Sequence, residues 1–352
     1  LKASSSLAGL AHRIWRRKGL ASAVLLPLSW LTGMAVARKK RRFARPGAQA
    51  QSRRPVVVVG NIYVGGTGKT PVVIALAQGL RARGWTPGVI SRGYGSAAGG
   101  GPRVGRGPRL APGEFGDEPA LIAAETDAPI AVHRRRALAL RALERAHPEV
   151  DVIIADDGLQ HLALGRDIEI VVQDARGTGN GRLLPAGPLR EPAAKLSQAD
   201  YIVTNLEADQ TDDGPARDDA RRIGMRLRPR EVRHLASQRT LAWDDWRTQY
   251  GRRPVDALAG IGQPGRFFRM LQACGLTLGQ TVALPDHAAF EASTFDAFGS
   301  SPILITAKDA VKCAGSNDAR LWAVHVAARF SDGRWLDDLA LRLRAIVGKK
   351  TT

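Results

Sequence analysis

Apolar and polar positions along this chain follow two periods, and the switches between them mark its elements. Residues 56–59 are four consecutive valines, a β-branched run that predicts a buried strand. A glycine-rich turn follows, and residues 71–80 then carry apolar positions at helical spacing. The alternation continues. Strands are predicted at 87–90, 129–132, 151–155, 167–172 and 201–205, with helices at 116–125 and 134–146 between them. Residues 97–112 and 177–192 hold Gly, Pro and Arg without a period and predict loops. Beyond 206 the chain is polar and charged with no clear core as far as 229, which predicts a connection between domains. Strands at 255–261, 281–284, 303–306 and 321–324, with a helix at 265–275, predict a second α/β unit.

Alternating strands and helices predict an α/β fold, a parallel sheet covered by helices. Ligands of such sheets sit at the carboxyl ends of the strands. The predicted division is a segment 1–45, a core domain 46–205, a connection 206–254 and a smaller C-terminal α/β domain 255–352. There is no internal repeat and no low-complexity tail.

The segment 1–45 has its own pattern. Residues 19–37 are uncharged, flanked by Arg16, Arg17 and Lys18 on one side and by the basic block 38–42 on the other. That length just suffices to span a bilayer. A cleaved signal peptide is disfavoured, because a basic block directly after the apolar run resists translocation. Basic residues on both flanks frustrate the orientation of a single span. A helix lying in the interface, with both clusters on anionic headgroups, avoids that conflict. A true span and a buried helix are the alternatives.

Composition narrows the chemistry. The chain has 352 residues, 44% apolar content and a net charge of +19, enough for more than one domain and a preference for anionic partners. Basic residues are scattered without an aromatic stacking series, which argues against nucleic acid. Cys274 and Cys313 have no metal-ligand spacing and no disulfide framework around them.

The valine strand and helix flank Gly65, Gly66, Thr67, Gly68, Lys69 and Thr70. This is the context of a phosphate-binding P-loop: backbone N–H groups and a helix N-terminus meet phosphate oxygens, Lys69 reaches the β- and γ-phosphates, and Thr70 holds Mg²⁺. Tyr63 stands where the usual pattern has its first Gly. The strand at 151–155 ends in Asp156 and Asp157, a Walker B tip that brings a carboxylate to the metal. Adjacent residues leave a strand on opposite faces, so the two have different tasks. One faces Mg²⁺; the other faces the attacking group or fixes Gln160 or His161. Arg92 and Arg190 lie in strand-end loops beside the P-loop and suit a phosphorylated head group. Asp117 opens a predicted helix on the same face, as a general base or as an N-cap. His133, His147 and His325 are expected to be structural or exposed.

Ser91-Arg92-Gly93-Tyr94, Gly116-Asp117-Glu118-Pro119, Asp156 to His161, Leu184 to Pro192, Ala259 to Gly262, Pro285-Asp286-His287 and Thr306 to Lys312 follow the P-loop in order. The chain closely resembles the tetraacyldisaccharide 4'-kinase family over nearly its whole length. The resemblance implies transfer of the ATP γ-phosphate to the 4'-hydroxyl of a tetraacylated glucosamine disaccharide 1-phosphate. It implies the cytoplasmic face of the inner membrane of a Gram-negative bacterium, with no obligate protein partner. It accommodates Tyr63, adds Gln160 and Glu191 to Thr70, Asp156 and Asp157 around Mg²⁺, and adds Tyr94 to the substrate contacts. It gives Asp117, Asp157, Lys69 and His287 to catalysis, with His287 orienting Asp117 when the second domain closes. Ala307 departs from the pattern, which has Glu there. The competing function is a P-loop ATPase switch that cycles on membranes and acts on protein partners.

Overall fold

The structure, a computed structural model, describes residues 14–15, 18–96, 100–207, 210, 221–286, 288, 290–313 and 315–351. Its centre is one sheet of 13 strands. In chain order these are β1 (Val56–Gly60), β2 (Pro87–Ser91), β3 (Arg103–Gly105), β4 (Ile130–Val132), β5 (Val152–Ala155), β6 (Ile168–Asp174) and β7 (Tyr201–Asn205). Then come β8 (Arg222–His234), β9 (Thr240–Ala242), β10 (Val255–Ala259), β11 (Leu278–Ala283), β12 (Ile303–Thr306) and β13 (Leu321–Phe330). The spatial order is β11-β10-β12-β13-β8-β7-β6-β1-β5-β2-β4-β3, with β9 on β8. The valine strand β1 lies between β5 and β6, parallel to both. Both of its faces are covered: Val57 and Val59 enter one apolar cluster, Val56 and Val58 the other. That explains a strand without polar alternation.

The region expected to be a connection is instead the seam of the sheet. β8 starts parallel to β7 and runs antiparallel to β13 along Met225↔Phe330 to His234↔Trp322. Ile223, Met225 and Val232 are buried there, and Trp243–Tyr250 forms a helix whose Trp246 is fully buried. The expected C-terminal boundary also differs. The helix Trp335–Thr351 leaves β13 and packs Trp335, Leu339 and Leu343 into the core that contains Val57, Val73 and Leu80. Tyr201 hydrogen-bonds Asp338, and Lys350 reaches Asp167 at 2.8 Å. The last helix therefore closes the first half of the molecule.

The uncharged run 19–37 is broken into helices Leu20–Val24 and Leu26–Phe43. Among the described residues no helix is long and apolar enough to cross a membrane. The polarity of this pair is inverted. Ser22 and Ser29 face inward, donating to the carbonyls of Ala186 at 2.6 Å and Leu183 at 2.7 Å. Leu20, Val24, Leu28, Trp30, Leu31 and Met34 point outward and are exposed.

Candidate active site

The parallel strands of the first half deliver their functional side chains at their carboxyl ends, and the antiparallel β3 brings Arg103 to the same side from its amino end. After β1 the loop turns through Gly65 at φ 100° and Gly68 at φ 95°. Gly68 is required twice over, because a Cβ there would lie 2.3 Å from Asn205 Nδ2. Asn205, at the end of β7, donates that amide to the Thr67 carbonyl at 3.1 Å. The helix Lys69–Arg81 starts without a side-chain cap, so its first N–H groups suit phosphate oxygens. Tyr63 has its own role: its ring stacks under the Arg176 guanidinium at 4.2 Å. Arg176 binds Asp174 and donates to the Gly66 carbonyl at 3.0 Å. Gln263, from the second half, donates to the same carbonyl at 3.1 Å.

Asp156 and Asp157 lie in the turn beyond the end of β5, so strand alternation does not separate them, and they meet different partners. Asp156 is buried and accepts from Ser91 Oγ at 2.9 Å. Burial pushes its carboxyl up to about 7, reinforced by the charges of Glu118 and Asp157 and opposed by Lys69. Asp157 adopts φ 46° and lies 3.5 Å from Lys69 and 3.6 Å from Arg190. Burial opposes its ionisation, but Lys69, Arg190 and Arg136 hold its carboxyl below the ordinary range. Behind the tip, buried Arg136 donates to the Asp156 carbonyl at 3.1 Å, and burial brings its guanidinium down to about 10. Burial, with Arg136 and Lys39 nearby, brings His161 down to about 4, so this imidazole is neutral at pH 7.

Gln160 and Glu191 are not brought to the carboxylate tip as free metal ligands. Gln160 Nε2 donates to the Asn61 carbonyl and to Glu191 Oε1, each at 3.0 Å, and its Oε1 faces Arg190 at 3.4 Å. Glu191 Oε2 lies 3.1 Å from Lys40. Lys39 donates to the Gln160 carbonyl at 2.7 Å. The basic block after the N-terminal apolar run thus grips the loop that carries Arg190.

Asp117 is the first residue of the helix Asp117–Thr126, whose N-cap is Gly116, and no side chain caps that helix. The N-cap alternative is not realised. Gly116 has φ 92°, and a Cβ there would lie 2.5 Å from the Tyr94 carbonyl, so Asp117 abuts the turn that carries Arg92 and Tyr94. Two lysines of the second half meet this helix start. Lys312 lies 3.5 Å from Asp117, and Lys308 lies 3.2 Å from Glu118 and 3.3 Å from Asp286. His287 lies outside the described residues. At the other end of the same helix Glu125 pairs with His325 of β13, so His325 joins the two halves structurally.

Two cavities adjoin these groups. One, of about 250 Å³, runs from Lys69 and Thr70 to an apolar end formed by Leu227, Phe267, Met270 and Val326. The other is lined by Arg92, Tyr94, Arg103, His133, Arg134 and Arg135, with no carboxylate among its described residues. Arg103, Arg134, Arg135, Glu118, Lys308 and Lys312 were not singled out from the sequence. Glu118, Lys308 and Lys312 lie inside the motifs Gly116–Pro119 and Thr306–Lys312, Arg134 and Arg135 just beyond the predicted strand 129–132, and Arg103 within the loop 97–112.

A family model described as tetraacyldisaccharide-1-P 4'-kinase matches residues 21–344. The chain belongs to this family. The tetraacyldisaccharide 4'-kinase of Bordetella petrii is 53% identical over 98% of both chains. That of Herminiimonas arsenicoxydans is 45% identical, over 93% of this chain and 94% of the relative. A crystal structure of LpxK from Aquifex aeolicus, described as an apo form in complex with ATP, superposes with a TM-score of 0.73 and 25% identity. It covers 93% of this chain and 100% of that one. The kinase reading and the P-loop α/β fold stand on these matches.

Proposed function

We propose that the chain transfers the γ-phosphoryl group of ATP to the 4'-hydroxyl of tetraacyl glucosamine disaccharide 1-phosphate, with Asp117 as base and Lys69 as phosphate clamp. The observation that carries this reading is the convergence of two carboxylate pairs on one cleft. Asp156 and Asp157 stand beside Lys69, and Asp117 and Glu118 open the neighbouring helix. The phosphates of ATP occupy the uncapped helix start at Lys69 and Thr70, and its base occupies the apolar end of the adjoining cavity.

The residues fit Mg²⁺. Asp156 Oδ1 is buried without a hydrogen-bond partner among the described residues, Asp157 Oδ1 faces Lys69 and Arg190, and the charges of Glu118 and Asp157 act on the Asp156 carboxyl. Thr70, Asp156 and Asp157 would hold the ion, with the charge of Glu118 acting on Asp156. When bound, it neutralises charge on the phosphoryl oxygens. Asp117 accepts the proton of the 4'-hydroxyl. The hydroxyl oxygen forms the new P–O bond as the bond to ADP breaks. Lys69 and Arg190 offset the charge that spreads over the transferring group.

The pocket of Arg92, Arg134 and Arg135, without a carboxylate among its described residues, takes the substrate's phosphate, and Tyr94 lies against the sugar. The outward apolar face from Leu20 to Met34 and the basic residues after it rest on an anionic membrane surface. That surface is the cytoplasmic face of the inner membrane. Radiolabel transfer from γ-labelled ATP to the purified glycolipid in mixed micelles tests the assignment. Lipid-stimulated ATP hydrolysis without labelled lipid would favour the ATPase switch instead.

A further inference from the structure

The Thr306 to Lys312 motif supplies two lysines that the reaction as described leaves without a task. β12 ends at Thr306, whose hydroxyl caps the short turn Ala307–Ala310 by accepting from Asp309 N–H at 3.1 Å. Asp309 is fully buried. Its Oδ2 accepts from the Gly260 N–H at 3.0 Å and from Thr306 Oγ1 at 2.7 Å. Its Oδ1 faces Lys312 Nζ at 3.5 Å. The same ammonium donates to the Ala288 carbonyl at 3.3 Å and sits 5.4 Å from the Phe290 ring centroid. The second half thus fixes the ammonium from three sides. The first half contributes Asp117, whose Oδ2 lies 3.5 Å away. One turn earlier Lys308 makes the parallel contact to Glu118 at 3.2 Å.

A carboxylate at an uncapped helix start has competing partners: its own helix amides, solvent and any nearby cation. A fixed ammonium selects one of these orientations. We propose that Lys312 is a positioning residue that aims the Asp117 carboxylate across the cleft, making correct placement of the base depend on assembly of the two halves. The proposal rests on Asp117 as the base. Because Asp309 is buried, removing Lys312 alone would strand its charge and endanger the fold. The test therefore uses Lys312→Met combined with Asp309→Asn, which removes both charges, and Lys312→Arg, which keeps the cation.

Phosphoryl transfer is measured at saturating ATP and glycolipid, ATP affinity by calorimetric titration, and melting temperature as the fold control. The expected result for Lys312→Met/Asp309→Asn is a kcat lowered about thirtyfold, within the range of couplings between contacting charged groups. ATP affinity should stay within about threefold, and Lys312→Arg should recover much of the rate. Adding Asp117→Asn should cost no more than Asp117→Asn alone, because groups that act as one unit are non-additive. A normal kcat in the charge-free pair, or losses that multiply with Asp117→Asn, overturns the proposal. If Asp117→Asn itself retains full kcat, the base assignment falls, separately from the role of Lys312.

Discussion

Two cationic regions flank the cleft, and they differ in what stands opposite them. Lys69, Arg190, Lys308 and Lys312 each lie within 3.2–3.6 Å of a carboxylate of the site. The cavity of Arg92, Arg134 and Arg135 has no carboxylate among its described lining residues, and these arginines are exposed. A cation held by a carboxylate organises charge that already belongs to the protein. A cluster of cations without internal counter-charge leaves its field for an incoming anion. By this contrast, substitutions in the first region should lower kcat and those in the second should raise KM.

The largest effect is expected at Lys69. Lys69→Ala removes the ammonium that faces Asp157 and that we propose clamps the phosphates. The loss should be roughly 3–4 kcal/mol in transition-state stabilisation, a few hundredfold in kcat. Asp117→Asn should lower kcat strongly with little change in ATP affinity. Steady-state kinetics with nucleotide titration check both. A Lys69→Ala enzyme impaired only in glycolipid KM would erase the distinction between the two regions.

What the sequence made legible follows the same division. The P-loop, the Asp156/Asp157 tip and the first-half strands are local: each signal lies within a few residues of its own consequence. The seam strand β8 was missed because its apolar residues Ile223, Met225 and Leu227 are diluted by Arg222, Arg226 and Arg228. The alternation is present, but the segment has the charge density of a linker. The placement of the helix Trp335–Thr351 depends on contacts such as Tyr201 to Asp338, and no local pattern encodes them. Gln160 and Glu191 carry the right chemistry for a metal. Lys40 and Arg190, from distant parts of the chain, decide where they point.

The next effect tests the second region. Arg134→Ala and Arg135→Ala should each raise KM for the phosphorylated glycolipid about three- to tenfold, since charge-assisted contacts at exposed positions are partly screened. ATP KM should hold. A substrate analogue lacking the 1-phosphate should be insensitive to both substitutions. Equal losses on the two lipids would detach this pocket from the phosphate.

A smaller effect separates burial from pairing at the Walker B tip. Asp156 has its carboxyl raised to about 7 in the folded chain, against roughly 3.9 unfolded. Between those values the folded state holds a proton that the unfolded state has released. The stability that Asp156 contributes to the metal-free protein is therefore full below about 4 and is lost as pH rises through about 7. Asp156→Asn should raise the metal-free melting temperature by a few degrees at pH 8, with the gap narrowing towards pH 5. Mg²⁺ needs the ionised carboxylate, so its affinity for the unsubstituted protein should climb as pH rises through about 7. A pH-independent gap would mean that burial of Asp156 carries no charge penalty.

The smallest effect concerns a surface that belongs to neither cationic region. Ser22 and Ser29 anchor the N-terminal helices to the loop before Arg190, while Trp30 and Leu31, 76% and 57% exposed, face outward. Buried serines and exposed tryptophan reverse the usual order of a soluble helix. The inversion makes sense if the outer face meets acyl chains while the exposed Arg38, Arg41 and Arg42 behind it meet headgroups. Trp30→Ser with Leu31→Ser should weaken binding to anionic vesicles by roughly tenfold, as loss of two inserted side chains implies. Turnover on long-chain substrate in vesicles should fall with it. Turnover on a short-chain, micelle-dispersed substrate should not, because the helix still docks through its serines and Lys40 still reaches Glu191. Co-sedimentation with vesicles, run beside both assays, distinguishes the outcomes. Unchanged sedimentation would move the membrane contact elsewhere on the protein. A parallel loss on both substrates would mean that the outer face supports the loop before Arg190 instead of the lipid surface.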